Sequence, residues 1–135
     1  MDKKIKNFRD LRIWQNSMDL ISDIYSSTRT FPKDEIYGLV TQIRRAAVSI
    51  ASNIAEGFSR YHKKEYIHFL YIALGSCSEL ATQIEISSRL DFISLEMKKD
   101  ILDKIDHISR MITKLIKTIV SQKRTTNCEL RAANC

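Results

Sequence analysis

Residues that break regular structure are scarce in this chain: one proline, Pro32, and three glycines among 135 residues. That scarcity argues against an all-β or loop-rich fold and suits long helices joined by short connections. No apolar run approaches the roughly 20 residues that a bilayer span needs, so no membrane partner is expected. The N-terminal stretch MDKKIKNFRDLRIW is basic but has no apolar segment behind it, and a secretory signal is not expected. The three cysteines are odd in number and none forms a CxxC pair. Cys77 falls in an apolar pattern, whereas Cys128 and Cys135 fall in a polar tail. Reduced thiols in a cytoplasmic protein are the expectation.

What the chain does have is heptad periodicity. In the stretch Leu39 to Arg60, with its lead-in, Ile36, Val40, Ile43, Ala47, Ile50, Ile54 and Gly57 alternate steps of four and three. This is the seam that presses one helix into a bundle. A second stripe, Val48, Ala51, Ala55 and Phe58, runs beside it, and a polar one holds Gln42, Ser49, Asn53, Glu56 and Arg60. Two apolar stripes exceed what one neighbour covers, so this helix is expected to be central.

The rest of the chain repeats the pattern. Helix one, capped by Asp10, has the seam Leu11, Trp14, Met18, Ile21 and Tyr25, with Ile13, Leu20 and Ile24 as a flanking stripe. The segment before Pro32 ends it, because a residue preceding proline is pushed out of the helical region. Helix two starts after Pro32 with Asp34 and Glu35 in its first turn, and Gly57 reads as its left-handed C-cap. The seam of helix three is Ile67, Leu70, Leu74, Cys77, Ala81 and Ile84, and its small residues around Ser76 permit close approach to helix two. Helix four carries Ile101, Ile105, Ile108, Ile112, Leu115 and Ile119, after a turn in which Ser94 or Asp91 is the candidate cap. The expected helices cover about 10–28, 33–57, 61–90 and 95–122, one bundle domain over 1–122, with a flexible tail over 123–135. Short connections make this an all-α, antiparallel up-down-up-down four-helix bundle.

Catalytic patterns are thin. Glu65 and His68 form a Glu-x-x-His, the spacing of di-metal bundles, but such a centre needs a second copy and inward-facing carboxylates. Only one copy is present, and both residues fall at outward heptad positions. His62, His68 and His107 lie in no HExxH, and neither a nucleophile elbow nor a phosphate-binding glycine loop occurs. No enzyme, metal or cofactor is expected. Glu56 is different: near a helix C-terminus the dipole disfavours a carboxylate, so it needs a partner, with Arg60 nearest. Asn53, Glu56 and Arg60 read either as a structural polar network or as a binding site.

Charge is unevenly distributed. The net +6 concentrates in residues 1–12, at net +3, and 98–131, at net +5, leaving the segment between at net −2. Bundle topology brings the start of helix one, the end of helix four and the turn between helices two and three to one pole. Lys3, Lys4, Lys6, Arg9, Arg12, Arg60, Lys63, Lys64, Lys117, Lys123, Arg124 and Arg131 should therefore converge there. Such a patch is the electrostatic footprint of a phosphate-backbone binder, with Phe8, Tyr61 and His62 near enough to stack on bases. The alternative is a protein-interaction scaffold whose charge serves solubility.

Three segments carry a resemblance: FRDLRIWQNSMDL, FPKDEIYGLVTQIRRAAVSIASNIAEGFSR and KEYIHFLYIALGSCSEL. The chain resembles the four-helix-bundle proteins encoded in intervening sequences of bacterial 23S rRNA genes, and is similar to accessory proteins of diversity-generating retroelements. The resemblance implies a left-handed bundle that assembles into a ring, commonly a pentamer. It also implies binding of RNA or DNA, and in the retroelement group of a reverse transcriptase, through a positive surface. Arg44, Arg45, Ser49, Asn53, Glu56, Gly57 and Arg60 fall on the shared motif. Asp91 stands where relatives are expected to have glycine. For self-association, the surplus stripes Ile13, Leu20 and Ile24 of helix one and Val48, Ala51, Ala55 and Phe58 of helix two are the expected interface.

Overall fold

The computed structural model describes residues 4–122. Lys3, Lys123, Arg124, Arg131 and the expected tail over 123–135 lie outside the described residues. Among those described, all regular structure is helical: α1 (Arg12–Thr28), α2 (Leu39–Ser59), α3 (Lys63–Arg89) and α4 (Leu95–Ser121), with short 3₁₀ turns at Phe8–Asp10 and Lys33–Glu35. Contacts run α1 to α2, α2 to α3, α3 to α4 and α4 back to α1, so the helices enclose a core as an up-down-up-down bundle. The α2–α3 contact is the most extensive.

Two faces were legible from their seams. Every member of the α4 seam, from Ile101 to Ile119, is buried. On α2, Val40, Ile43, Ala47, Ile50, Ile54 and Gly57 are buried as well, whereas Ile36 of the expected seam precedes the helix and is exposed. Enclosing an isoleucine of this kind is worth about 1.5–3 kcal/mol, and the line of them fixes the rotation of each helix.

Helix α1 differs from its expected orientation. Its buried positions are Ile13, Ser17, Leu20, Ile24 and Thr28, whereas Met18 and Tyr25 of the expected seam are exposed. The buried stripe contains two hydroxyls, which are satisfied within the helix: Ser17 Oγ donates to Ile13 O at 2.6 Å and Thr28 Oγ1 to Ile24 O at 2.8 Å. A serine and a threonine can thus line a core at little cost.

The ends depart from expectation in ways that explain the sequence. Asp10 does not cap α1; it closes a capping box with Asn7 around the preceding 3₁₀ turn. Helix α2 begins at Leu39, not just after Pro32, and Glu35 Oε2 accepts the Leu39 N–H at 3.2 Å from the preceding turn. Gly57 is not a left-handed cap, for α2 continues to Ser59 and no glycine has positive φ. Its lack of a side chain serves packing. A Cβ there would lie 2.8 Å from Phe69 Cβ and 3.2 Å from Tyr66 Cδ1 on α3. Asp91, by contrast, sits at φ 61°, in the left-handed region. Around it Phe92 N donates to Ser87 O at 2.9 Å and Asp91 N to Ser88 O at 3.0 Å, the paired bonds of a Schellman stop for α3. A glycine is the natural residue at that position, as the resemblance anticipates. Ser94 then caps α4, accepting from Met97 N at 3.1 Å.

Candidate nucleic-acid interface

The antiparallel order places the start of α1, the end of α2, the start of α3 and the end of α4 at one pole. One side chain joins two of these ends directly. Lys63, at the first position of α3, donates from Nζ to Gln122 O at 2.6 Å and to Val120 O at 3.4 Å, at the C-terminal end of α4. The final carbonyls of a helix have no intrahelical donor and carry the negative end of its dipole, so an ammonium there is doubly favoured. Lys63 was expected to bind phosphate; its charge is instead engaged by main-chain oxygens.

Other expected members stand open at this pole. Lys4, Lys6, Arg9, Arg12, Lys64 and Lys117 are exposed. Arg60 pairs with Glu56 through Nη2 and Oε1, with the two side chains 44% and 50% exposed. That pair supplies the partner Glu56 needs near the end of α2, but it is a solvated surface pair and not a buried network. Arginine also meets aromatic faces here: Arg9 Cζ lies 4.5 Å from the centroid of Phe8, and Arg60 Cζ 5.2 Å from that of Phe69. Phe8 packs edge-on against Trp14 at 5.4 Å. Tyr61 and His62 are exposed between Arg60 and Lys63.

The remaining motif residues divide between two helix contacts. Ser49 Oγ and Ser76 Oγ share a hydrogen bond of 2.8 Å across α2 and α3, and Asn53 Nδ2 donates to Ser49 Oγ at 2.9 Å and to Ser49 O at 2.8 Å. This chain of hydroxyls and amide occupies the close approach that the small residues of α3 permit. On the other side, Arg44 Nε donates to Thr28 Oγ1 at 3.0 Å, and its guanidinium lies 4.5 Å from the Tyr25 ring centroid, tying α2 to α1. Arg45 is exposed beside it, and Tyr25, Thr41, Arg44, Arg45, Val48 and Ser49 line a shallow groove.

The expected interface stripes do not form a surface. Ile13, Leu20, Ile24, Ala51 and Phe58 are buried in the chain's own bundle, and Ala55 is half-buried. The bundle covers the α1 members because that helix is rotated to face them inward, and Ala51 and Phe58 are buried on α2 beside its own seam. Of that set only Val48 is exposed, at 39%; Tyr25, which lines the same groove, is exposed as well, as is Met18 one heptad before it on α1, although the heptad seam predicts both inside.

The opposite end has different electrostatics. Asp23, Glu96, Asp100 and Asp103, with Lys99 the one cation among its described lining residues, border an open cleft between α1 and α4, and Lys104 binds Asp23 at 2.5 Å and Asp100 at 3.1 Å. Those bonds raise the Lys104 pKa above its usual value. Cys77 is buried, and burial pushes its thiol pKa up, with a hydrogen bond to Ser109 opposing. Its thiolate is therefore suppressed, consistent with a packing role. Glu65 and His68 are both exposed, with the His68 ring 5.4 Å from that of Phe69. Among the described residues no group of three His, Cys, Asp or Glu could hold a metal ion, and no helix is long and apolar enough to cross a membrane.

Comparison with known proteins gives the lineage of this arrangement. A crystal structure of a protein with unknown function from the S23 ribosomal protein family of Bacteroides thetaiotaomicron is similar, with a TM-score of 0.71 at 24% identity, covering 78% of this chain and 99% of that one. At that identity the likeness speaks for the fold alone. No curated protein matches the chain. The family described as 23S rRNA-intervening sequence protein matches over residues 9–114, a span running from the 3₁₀ turn before α1 to within two turns of the end of α4. The chain belongs to the family of 23S rRNA-intervening sequence proteins.

Proposed function

We propose that this protein is a non-catalytic, self-associating bundle that binds RNA or DNA through its basic pole. The observation that carries the reading is the convergence of Arg9, Arg12, Lys64 and Lys117 on the end where Lys63 bridges α3 to α4. The acidic cleft between α1 and α4 leaves the charge polarised along the bundle. Repeated cations on a rigid scaffold bind phosphate backbones through counterion release, with little base preference. Self-association would present several poles to one strand and multiply the effect. The exposed apolar residues Met18, Tyr25 and Val48, beside the groove that holds Arg44 and Arg45, are the surface we assign to it, and a pentameric ring is the form the family resemblance favours. A cytoplasmic location fits these partners. A reverse transcriptase, as for retroelement accessory proteins, is a candidate protein partner.

Titrating labelled RNA and DNA at increasing salt tests the reading. Binding at low salt that weakens steeply and about equally for unrelated sequences supports it. Absence of binding at low salt favours instead a protein-interaction scaffold.

A further inference from the structure

We propose that the basic pole selects single-stranded over duplex nucleic acid, with Arg9 and Arg60 as platforms on which unpaired bases stack. This deepens the nucleic-acid reading and rests on it. Both guanidinium groups are already placed. Arg9 lies over Phe8, which is itself held edge-on by Trp14, and Arg60 lies over Phe69 while its Nη2 is bound to Glu56. Each is thus fixed on one side by the protein and remains open to solvent on the other, since both arginines are exposed. A planar, weakly hydrated guanidinium accepts a base on its face, which a lysine ammonium cannot do. Because the side chains are ordered beforehand, stacking costs less freedom than it would for a mobile arginine.

The position of the two stacks matters as much as their geometry. The turn carrying Phe8 and Arg9 packs on α2, and Phe69 faces Gly57 near the end of α2. Both platforms therefore flank the last turns of one helix, with exposed Arg12 and Lys64 close in sequence to supply phosphate contacts. Phe8 and Phe69 are half-buried with an arginine over each ring, so they back the platforms and are not the primary stacking surfaces. A duplex keeps its bases stacked inside and offers only its backbone. Flat platforms are useful only to unpaired bases, each of which has a face to stack whatever its sequence.

The experiment compares three probes of equal phosphate number on the full chain: a single strand, its duplex, and an abasic single strand. The single strand is expected to bind at least about tenfold more tightly than the abasic one, since one stacked base is worth a factor of that order. The Arg9→Lys, Arg60→Lys double variant, which keeps both charges, should lose that margin while holding its duplex affinity and salt slope. Equal binding of intact and abasic strands by the wild type overturns the proposal even if the variant proves unstable, and leaves the phosphate-binding reading standing. Failure of all three probes to bind at low salt removes that reading and this proposal with it. A folded variant that keeps the full margin of intact over abasic strand would assign the arginines to charge alone and overturn the proposal.

Discussion

Lys63 Nζ reaches Gln122 O at 2.6 Å, so the first residue of α3 closes the end of α4. Consecutive helices are tied by their turns, but this contact joins helices at a pole where no loop connects them. Replacing Lys63 by Met removes a charged donor from carbonyls that have no other helical partner. We expect a loss of about 1 kcal/mol in thermal unfolding. Lys64→Met, one residue on and exposed, should stay within about 0.5 kcal/mol of wild type. Equal melting shifts for the two variants would contradict the capping role.

Gly57 and Asp91 make opposite predictions. A methyl group at 57 would meet Phe69 Cβ at 2.8 Å, so Gly57→Ala should destabilise by about 1–3 kcal/mol despite its better helix propensity. At 91 the backbone is left-handed, and Asp91→Gly should stabilise by up to about 1 kcal/mol by relieving the Cβ crowding. Denaturant midpoints of both variants decide the matter. A neutral Gly57→Ala would mean that α2 and α3 separate freely at this point.

For Glu56 the exposed pair with Arg60 sets the expectation. Exposed pairs one helical turn apart are worth about 0.3–0.5 kcal/mol, so Glu56→Ala and Glu56→Gln should both shift stability by no more than about that. A loss of several times this size for Glu56→Ala alone would show that the carboxylate anchors more than Arg60.

The contrast between α4 and α1 explains how much of the fold could be read in advance. On helix α4 every residue of the expected seam is buried where the heptad puts it, with Ile116 buried beside them. Helix α1 offered two stripes of similar apolarity, and the one without polar residues was the natural choice. The bundle selected the other, because Ser17 and Thr28 satisfy their hydroxyls on their own backbone and so bury like small apolar residues. Pattern counting scores those hydroxyls as polar and cannot see the bonds. The same limitation governed the pole: antiparallel topology brought the cations together, yet the partner of Lys63 is a main-chain carbonyl, which no side-chain pattern records. Gly57 had two available reasons, a turn or a close approach, and only the position of α3 distinguishes them. The α2–α3 approach itself was legible in the small residues around Ser76.

The self-association proposed above is tested at the groove around Val48. Val48→Lys places a charge beside Arg44 and Arg45 at an exposed site and should shift the protein to a smaller species in light scattering, with its melting temperature nearly unchanged. Ile24→Lys, at a fully buried site, should instead disrupt folding. An unchanged mass for Val48→Lys would remove this face from the interface.

The central claim is that the pole, and not net charge, binds nucleic acid. The direct measurement is the affinity of one RNA strand for two triple reversals that change net charge equally. One replaces Arg12, Lys64 and Lys117 by Glu at the pole; the other replaces Lys33, Arg89 and Lys99 by Glu at the opposite end. Both are followed by fluorescence anisotropy across a salt series. We expect a large loss of affinity and a shallower salt slope for the first, with the second close to wild type. Equal losses in the two variants would contradict the claim.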